Sequence, residues 1–427
     1  MTENKNFTLD TICVQGGWQP ENGGPRQLPI YQSTTFKYDS SEQMARLFDL
    51  KESGYFYSRL SNPTNDAVAA KICQLEGGHG AILTSSGQAA NLFAILNLCQ
   101  AGDHFVCSNA IYGGTYNLFS FTLKKLGIDL TFVPIDATVE QITKAIQPNT
   151  KLVFAETVTN PTVEILDIEV FAKAAHLNGV PLVVDNTFPT PMNCRPIEWG
   201  ADIVVHSTTK YLDGHASTVG GCVVDSGNFD WEAHAERFAG LTEPDPSYHG
   251  LSYTKTFGKD AFIIKATAQL MRDLGSVQSP FNAFILNAGI ETLHLRMQRH
   301  CENALKVATF LEKHPKVAWV NYAGLPSSKY YELAQKYMPR GICGVVSFGL
   351  KGERKDAVEF MDKLKLVSIV THVADAQSCI LHPASHSHRQ MTDKQLLEVG
   401  IKPDLIRLSV GIEDSIDILE DIENALK

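Results

Sequence analysis

Lys210 lies in the run Ser207-Thr208-Thr209-Lys210-Tyr211, directly after Ala201-Asp202-Ile203-Val204-Val205-His206. That mostly apolar stretch reads as a buried strand. A second one, Val180-Pro181-Leu182-Val183-Val184, delivers Asp185 to its own C-terminal end. Open α/β sheets bind ligands beyond the carboxyl ends of their strands, so Asp185 and Lys210 are placed to face one pocket from adjacent strands. An amine and a carboxylate in that relation suit pyridoxal phosphate, which needs the amine for its aldehyde and the acid for its ring nitrogen. A structural ion pair at a sheet rim would use the same two residue types.

Other residues could complete such a pocket. Ser85-Ser86-Gly87-Gln88-Ala89-Ala90 joins a strand to a helix. Backbone N–H groups there, with a glycine allowing close approach, form a phosphate cradle, although a plain N-cap has the same signature. Ser207 and Thr209 would add hydroxyls. Tyr112, ahead of Gly113-Gly114, could stack on an aromatic ring or be an ordinary exposed loop tyrosine. Asn160-Pro161 offers an amide to a phenolic oxygen, and is equally a turn signal. Arg407 stands in an apolar strand and calls for an anionic partner. A carboxylate held by two parallel hydrogen bonds is the natural one, from a substrate or from the protein itself. His382, His386 and His388 lack a spacing that converges imidazoles and have no acidic residue among them, so no metal is expected. The phosphate-loop pattern GxxxxGK[ST] and the GxSxG elbow are both absent.

The elements that must hold these residues follow from periodicity. From Gly80 onward, apolar strand-like runs near 81–84, 104–108, 130–134, 152–156, 181–185, 203–206 and 220–224 alternate with helical patterns. Those patterns include Ala89 to Leu98, Val139 to Ile146 and Val170 to Asn178. This predicts an α/β domain with a mainly parallel sheet covered on both faces. Residues 1–62 are rich in turn formers and read as an extended arm, 63–280 as the α/β domain, and 281–427 as a smaller α+β domain. A long helix is expected from about Glu291 to Lys313. The aromatic, proline-rich stretch 227–260 reads as a functional loop that could help seal a site.

Composition sets the outer limits. A 427-residue chain suggests more than one core, and 44% hydrophobic with 20% charged residues is ordinary for a globular protein. A net charge of −10 argues against nucleic acid. Nine cysteines without framework spacing suit reduced, buried thiols. No apolar run approaches a membrane span. The polar start Met1-Thr2-Glu3-Asn4-Lys5-Asn6 lacks a signal-peptide core, so a cytoplasmic protein is expected.

Taken together, Tyr57-Ser58-Arg59-Leu60-Ser61-Asn62-Pro63-Thr64, Asp185-Asn186-Thr187, Ser207 to Tyr211 and Arg407-Leu408-Ser409-Val410-Gly411 resemble the pyridoxal-phosphate enzymes of cysteine and methionine metabolism. This is the γ-synthase and γ-lyase group of fold type I, and the resemblance covers nearly the whole chain. The loop Thr242 to Gly250 and the run Pro280 to Phe284 are similar to the branch acting on O-acetylhomoserine. The resemblance implies γ-replacement with sulfide to give homocysteine and acetate, with γ-lyase or cystathionine synthesis, or a non-catalytic binding protein on the same fold, as alternatives. It implies that Lys210 carries the cofactor, Asp185 meets the ring nitrogen, and Tyr112 and Thr187 flank the ring. Ser86, Gly87, Gln88, Ser207 and Thr209 would hold the phosphate, and Asn160 the phenolic oxygen. Arg407 would clamp the substrate carboxylate. Tyr57 and Arg59 would enter from a neighbouring subunit of a homotetramer, with Tyr57 also near substrate. Gly114 stands where many of the related methionine γ-lyases have cysteine, which tilts the reading away from them.

Overall fold

The computed structural model describes residues 7–352, 354–386, 389, 394, 396 and 401–427. Its larger sheet has seven strands: β1 (Gly80–Thr84), β2 (His104–Ser108), β3 (Asp129–Val133), β4 (Thr150–Glu156), β5 (Leu182–Asp185), β6 (Ile203–His206) and β7 (Gly221–Asp225). They run in the order β1-β7-β6-β5-β4-β2-β3. Only β7 is antiparallel to its neighbours, so the expected seven runs and mainly parallel sheet are present.

Side-chain alternation explains why both faces are covered. Val153, Ala155, Val184, Val204 and Val224 enter one apolar cluster. Leu152, Phe154, Val183, Val205 and Val223 enter the other. Successive strand residues point to opposite faces, so strands apolar at every position must be sandwiched. The helices Pro63–Glu76 and Ile168–Leu177 cover the first face. The helix Gly87–Leu96 and the segment 227–260 cover the second.

That segment corrects the expectation of a loop free to seal a site. Trp231, Phe238, Leu241 and Tyr253 are buried in the second cluster. Trp231 stacks on Phe262 with centroids 5.8 Å apart. Burying large aromatic surfaces outweighs leaving such a stretch mobile in water, so it forms part of the wall.

A second sheet of five strands comprises β8 (Val317–Asn321), β9 (Val345–Leu350), β10 (Ser368–Ile369), β11 (Cys379–Leu381) and β12 (Leu405–Ser409), in the order β10-β11-β12-β9-β8. The long helix runs Leu293–Lys313, and a separate helix, Pro280–Glu291, precedes it. The N-terminal region carries two helices that its turn-rich composition conceals, Leu9–Gln15 and Ser41–Phe48. Cys13 is fully buried, its sulfur 3.6 Å from Met192 Sδ, which anchors the first helix on its own chain. Further along, Thr64 Oγ1 accepts from Tyr31 N–H at 2.9 Å and donates to the Pro29 carbonyl at 2.7 Å. All nine cysteines are free and buried. Among the described residues no helix is long and apolar enough to cross a membrane.

Candidate active site

Carboxyl ends of β1, β2, β4, β5 and β6 open on one cavity, and β12 of the second sheet closes its side. Ser86, Gly87, Gln88, Tyr112, Asn160, Asp185, Thr187, Ser207, Thr209, Lys210 and Arg407 all line it. Tyr57 and Arg59 do not. Both are exposed, and the Arg59 guanidinium lies over the Tyr57 ring at 5.2 Å.

Lys210 occupies a turn after β6. Three neighbours fix that turn. Tyr211 is fully buried, and its Oη accepts from Gly344 N–H at 2.8 Å. Arg296 donates to the Tyr211 carbonyl at 2.7 Å. The Thr209 hydroxyl accepts from Gly220 N–H at 3.1 Å. Burial, then the Arg407 charge, lowers the Lys210 ammonium to about 8.

Asp185 ends β5 with Oδ1 accepting from the Thr187 hydroxyl at 2.5 Å and from Thr187 N–H at 2.9 Å. Thr187 Oγ1 in turn accepts from Ser207 N–H at 2.9 Å, joining the two turns. Burial raises the Asp185 carboxyl, opposed by the Thr187 hydrogen bonds and by His206. A cation meeting Asp185 would relieve that cost.

Ser86 caps the helix Gly87–Leu96, accepting from Ala89 N–H at 3.1 Å. Gly87 is needed by close approach, since a Cβ there would sit 2.5 Å from Ser207 Cβ. Gly114 has a similar constraint, with a Cβ falling 2.5 Å from Tyr112 Cε1. The stacking candidate can thus fold over its own loop only because position 114 has no side chain.

Two unexpected residues organise the rim. Glu156 ends β4 beside Asp185 in register. Its Oε1 accepts from Tyr112 N–H at 2.6 Å and its Oε2 from Asn160 N–H at 3.2 Å. Burial, then the Asp185 charge, pushes its carboxyl well above the usual range. An acid closing an apolar strand was the available signal. His372, in the loop between β10 and β11, places Nδ1 3.3 Å from Lys210 Nζ. No periodicity marked it.

Arg407 is buried, with Nη1 donating to Asn160 Oδ1 and Nη2 to the His372 carbonyl, each at 3.1 Å. Its Nε has no partner, and it pairs with no carboxylate among the described residues. The structural carboxylate that the strand position left open is therefore not what satisfies it. Gln88 Oε1 and Asn91 Oδ1 are likewise buried without partners. Unsatisfied buried groups are costly, and these converge on the cavity, so the donor set fits a polar, anionic ligand such as pyridoxal phosphate with an amino acid.

The histidines considered for metal serve the backbone. His382 uses both ring nitrogens, at 2.9 Å from Ser385 Oγ and 2.9 Å from the Pro403 carbonyl. His386 Nδ1 accepts from His382 N–H at 3.3 Å. His388 lies outside the described residues, as do Met1 to Asn6.

The Cys/Met metabolism PLP-dependent enzyme family matches residues 10–427, and the chain belongs to that family. Pyridoxal phosphate is accordingly its cofactor. It is 46% identical to the O-acetyl-L-homoserine sulfhydrylase of Leptospira meyeri, covering 99% of this chain and 97% of the relative. It is 44% identical to the homocysteine synthase of Schizosaccharomyces pombe, covering 100% of this chain and 99% of the relative. A crystal structure of a candidate O-acetylhomoserine (thiol)-lyase from Campylobacter jejuni superposes with a TM-score of 0.95 at 37% identity, covering 98% of this chain and 100% of that one. That chain contains N'-pyridoxyl-lysine-5'-monophosphate.

Proposed function

We propose that the protein replaces the acetate of O-acetyl-L-homoserine with sulfide, giving L-homocysteine and acetate. The observation that carries this is Arg407, a buried guanidinium with no carboxylate partner among the described residues, facing the same cavity as Lys210. Between them they define a site for an α-amino acid: Arg407 takes the carboxylate and Lys210 works at Cα. The names of the similar enzymes supply the rest of the substrate.

The cofactor, when bound, supplies an electron-accepting ring that stabilises negative charge at Cα. Lys210 is the residue that would hold its aldehyde, with Asp185 at the ring nitrogen and Asn160 at the phenolic oxygen. Tyr112 and Thr187 would take the two ring faces. Ser86, Gly87, Gln88, Ser207 and Thr209 would surround the phosphate, joined by Tyr57 and Arg59 from a neighbouring copy in a tetramer built of dimers.

The chain's own groups then divide the work. Lys210 Nζ, freed when substrate arrives, removes the α-proton as a general base. Asp185 would accept a hydrogen bond from the ring N–H, whose positive charge would offset the burial that raises its carboxyl. Once the α-proton has been handed on and the amine is neutral again, it is placed to take a second one from Cβ as acetate leaves Cγ; hydrosulfide then forms the new C–S bond at Cγ, and Lys210 returns the protons to Cβ and Cα. Arg407 fixes the carboxylate, so that both protons are presented to one amine. Nine buried thiols with no disulfide support a cytoplasmic setting.

Purified protein with pyridoxal phosphate should turn over O-acetyl-L-homoserine with sulfide, and far less with cysteine or no thiol. Lys210→Ala should abolish both turnover and borohydride-stable cofactor attachment. Homocysteine formation by Lys210→Ala at an appreciable rate, or a product made equally well without sulfide, would refute the reading.

A further inference from the structure

Beside the cavity, between the lining residues Thr371 and Val373, stands a basic group that the assignment above leaves idle. His372 Nδ1 lies 3.3 Å from Lys210 Nζ, and Asp375 Oδ2 lies 3.4 Å from His372 Nε2 on the opposite side of the ring. Asp375 is itself held by accepting from Gln377 N–H at 2.7 Å. Nε2 makes no hydrogen bond among the described residues, but a carboxylate near it favours hydrogen on Nε2 electrostatically, which leaves the Nδ1 lone pair facing the lysine. The backbone is pinned independently: the His372 carbonyl accepts from Arg407 Nη2 at 3.1 Å and from Cys379 Sγ at 3.4 Å.

We propose that His372 is a positioning residue for Lys210. Its Nδ1 accepts one hydrogen of the free amine and turns the amine's lone pair toward the reacting carbon and toward the cofactor aldehyde.

The charges around the ring decide what kind of partner it is. Burial, then the Lys210 charge, lowers the imidazole to about 4, with Arg407 adding to this and Asp213 opposing it in part. The lysine stands at about 8. The imidazole stays below the ammonium, so the shared proton resides on lysine. His372 is therefore an acceptor that aims the amine and does not store its proton. Asp375, next to the ring, would meet any transient positive charge.

This inference rests on the reading of Lys210 as the cofactor-bearing amine, so the experiment separates the two. Apoprotein is mixed with pyridoxal phosphate, and covalent attachment is followed by visible absorbance and by borohydride trapping with peptide mapping. Steady-state kcat and KM for O-acetyl-L-homoserine are measured on the loaded protein. His372→Leu should slow attachment and lower kcat by about tenfold, the scale of one hydrogen bond, with KM within about twofold of the original. The KM holds because Arg407 is bound to the residue's backbone carbonyl, which the substitution keeps. His372→Asn, whose Oδ1 can take the place of Nδ1, should recover most of the attachment rate. If His372→Leu melts well below the parent, His372→Ala serves in its place.

Attachment at the parental rate in both the Leu and Ala variants would overturn the proposal. So would an Asn variant as slow as Leu, or a raised KM with unchanged kcat, which would mark a purely structural residue behind Arg407. Trapped cofactor on a peptide lacking Lys210 would instead overturn the lysine assignment, and the present proposal with it.

Discussion

Arg407 shows how one residue can specify a ligand class. A guanidinium in a buried strand is tolerated only with partners, and here two neutral oxygens satisfy its Nη groups while Nε is left over. Arg407→Lys keeps the charge but loses the planar two-point contact. A charge-assisted hydrogen bond contributes about 1.5–3 kcal/mol, so kcat/KM for O-acetyl-L-homoserine should fall about 10- to 100-fold. The absorbance spectrum of the loaded protein should not change, and unaltered kinetics would confine Arg407 to a structural role. Lys210 yields a prediction in pH. Its ammonium, lowered to about 8 from 10.5 by burial and Arg407, is protonated and unreactive below that value and has a free lone pair above it. The rate of cofactor attachment to apoprotein should therefore rise with pH, reach half its maximum near 8 and then level off. A rate still climbing steeply above pH 9 would show an ordinary, solvated lysine.

Turns, more than strands, hold the site at the level of elements. The Lys210 turn is tied to the Thr187 turn through Ser207 N–H and to the second sheet through Tyr211. The Tyr211 ring also meets His300 edge-on, with centroids 4.9 Å apart. Tyr211→Phe keeps that ring contact and removes only the oxygen that Gly344 N–H needs. Leaving a buried donor unsatisfied costs about 1–3 kcal/mol, so the midpoint of urea unfolding should drop measurably. Turnover should fall too, because the Lys210 turn loses its tie to the residues leading into β9. Unchanged stability would mean that water replaces the phenol at Gly344. Glu156 does a comparable job at the end of β4, holding the backbones before Tyr112 and Asn160 with one carboxyl group.

At the scale of the molecule, one chain gathers almost all of the expected site but leaves Tyr57 and Arg59 on the outside, exposed and stacked on each other. The proposed arrangement supplies them from a neighbouring copy, and subunit mixing tests it. Lys210→Ala and Arg59→Ala should each be nearly inactive alone. Refolded together, random pairing makes about half the dimers mixed, each with one intact site of two, so about a quarter of the original activity should return. Verified mixing with no recovery would place Arg59 in its own chain's chemistry or outside it altogether.

The sequence by itself determined the larger sheet and the identity of the central residues. Runs such as Leu152 to Ala155 are apolar at every position, which only a sheet covered on both faces can bury. Residues at the carboxyl ends of such strands, Asp185 and the Lys210 turn among them, must meet at one edge. Residue chemistry also offered Tyr112, Asn160 and Arg407, the family resemblance added Thr187, and the cavity contains all four. Local pattern failed where position depends on distant chain. The segment 227–260 has the composition of a loop, but its aromatic side chains found an uncovered sheet face and became wall. His372 carries no periodic signal because it lies in a loop, and its partner Lys210 is 162 residues away in sequence. Glu156 reads as a strand end, and its value lies in two backbone N–H groups that only folding brings to it. Strand periodicity is a local property of the chain, whereas hydrogen-bond partners and burial are set by contacts between distant segments, so only the tertiary structure could decide them.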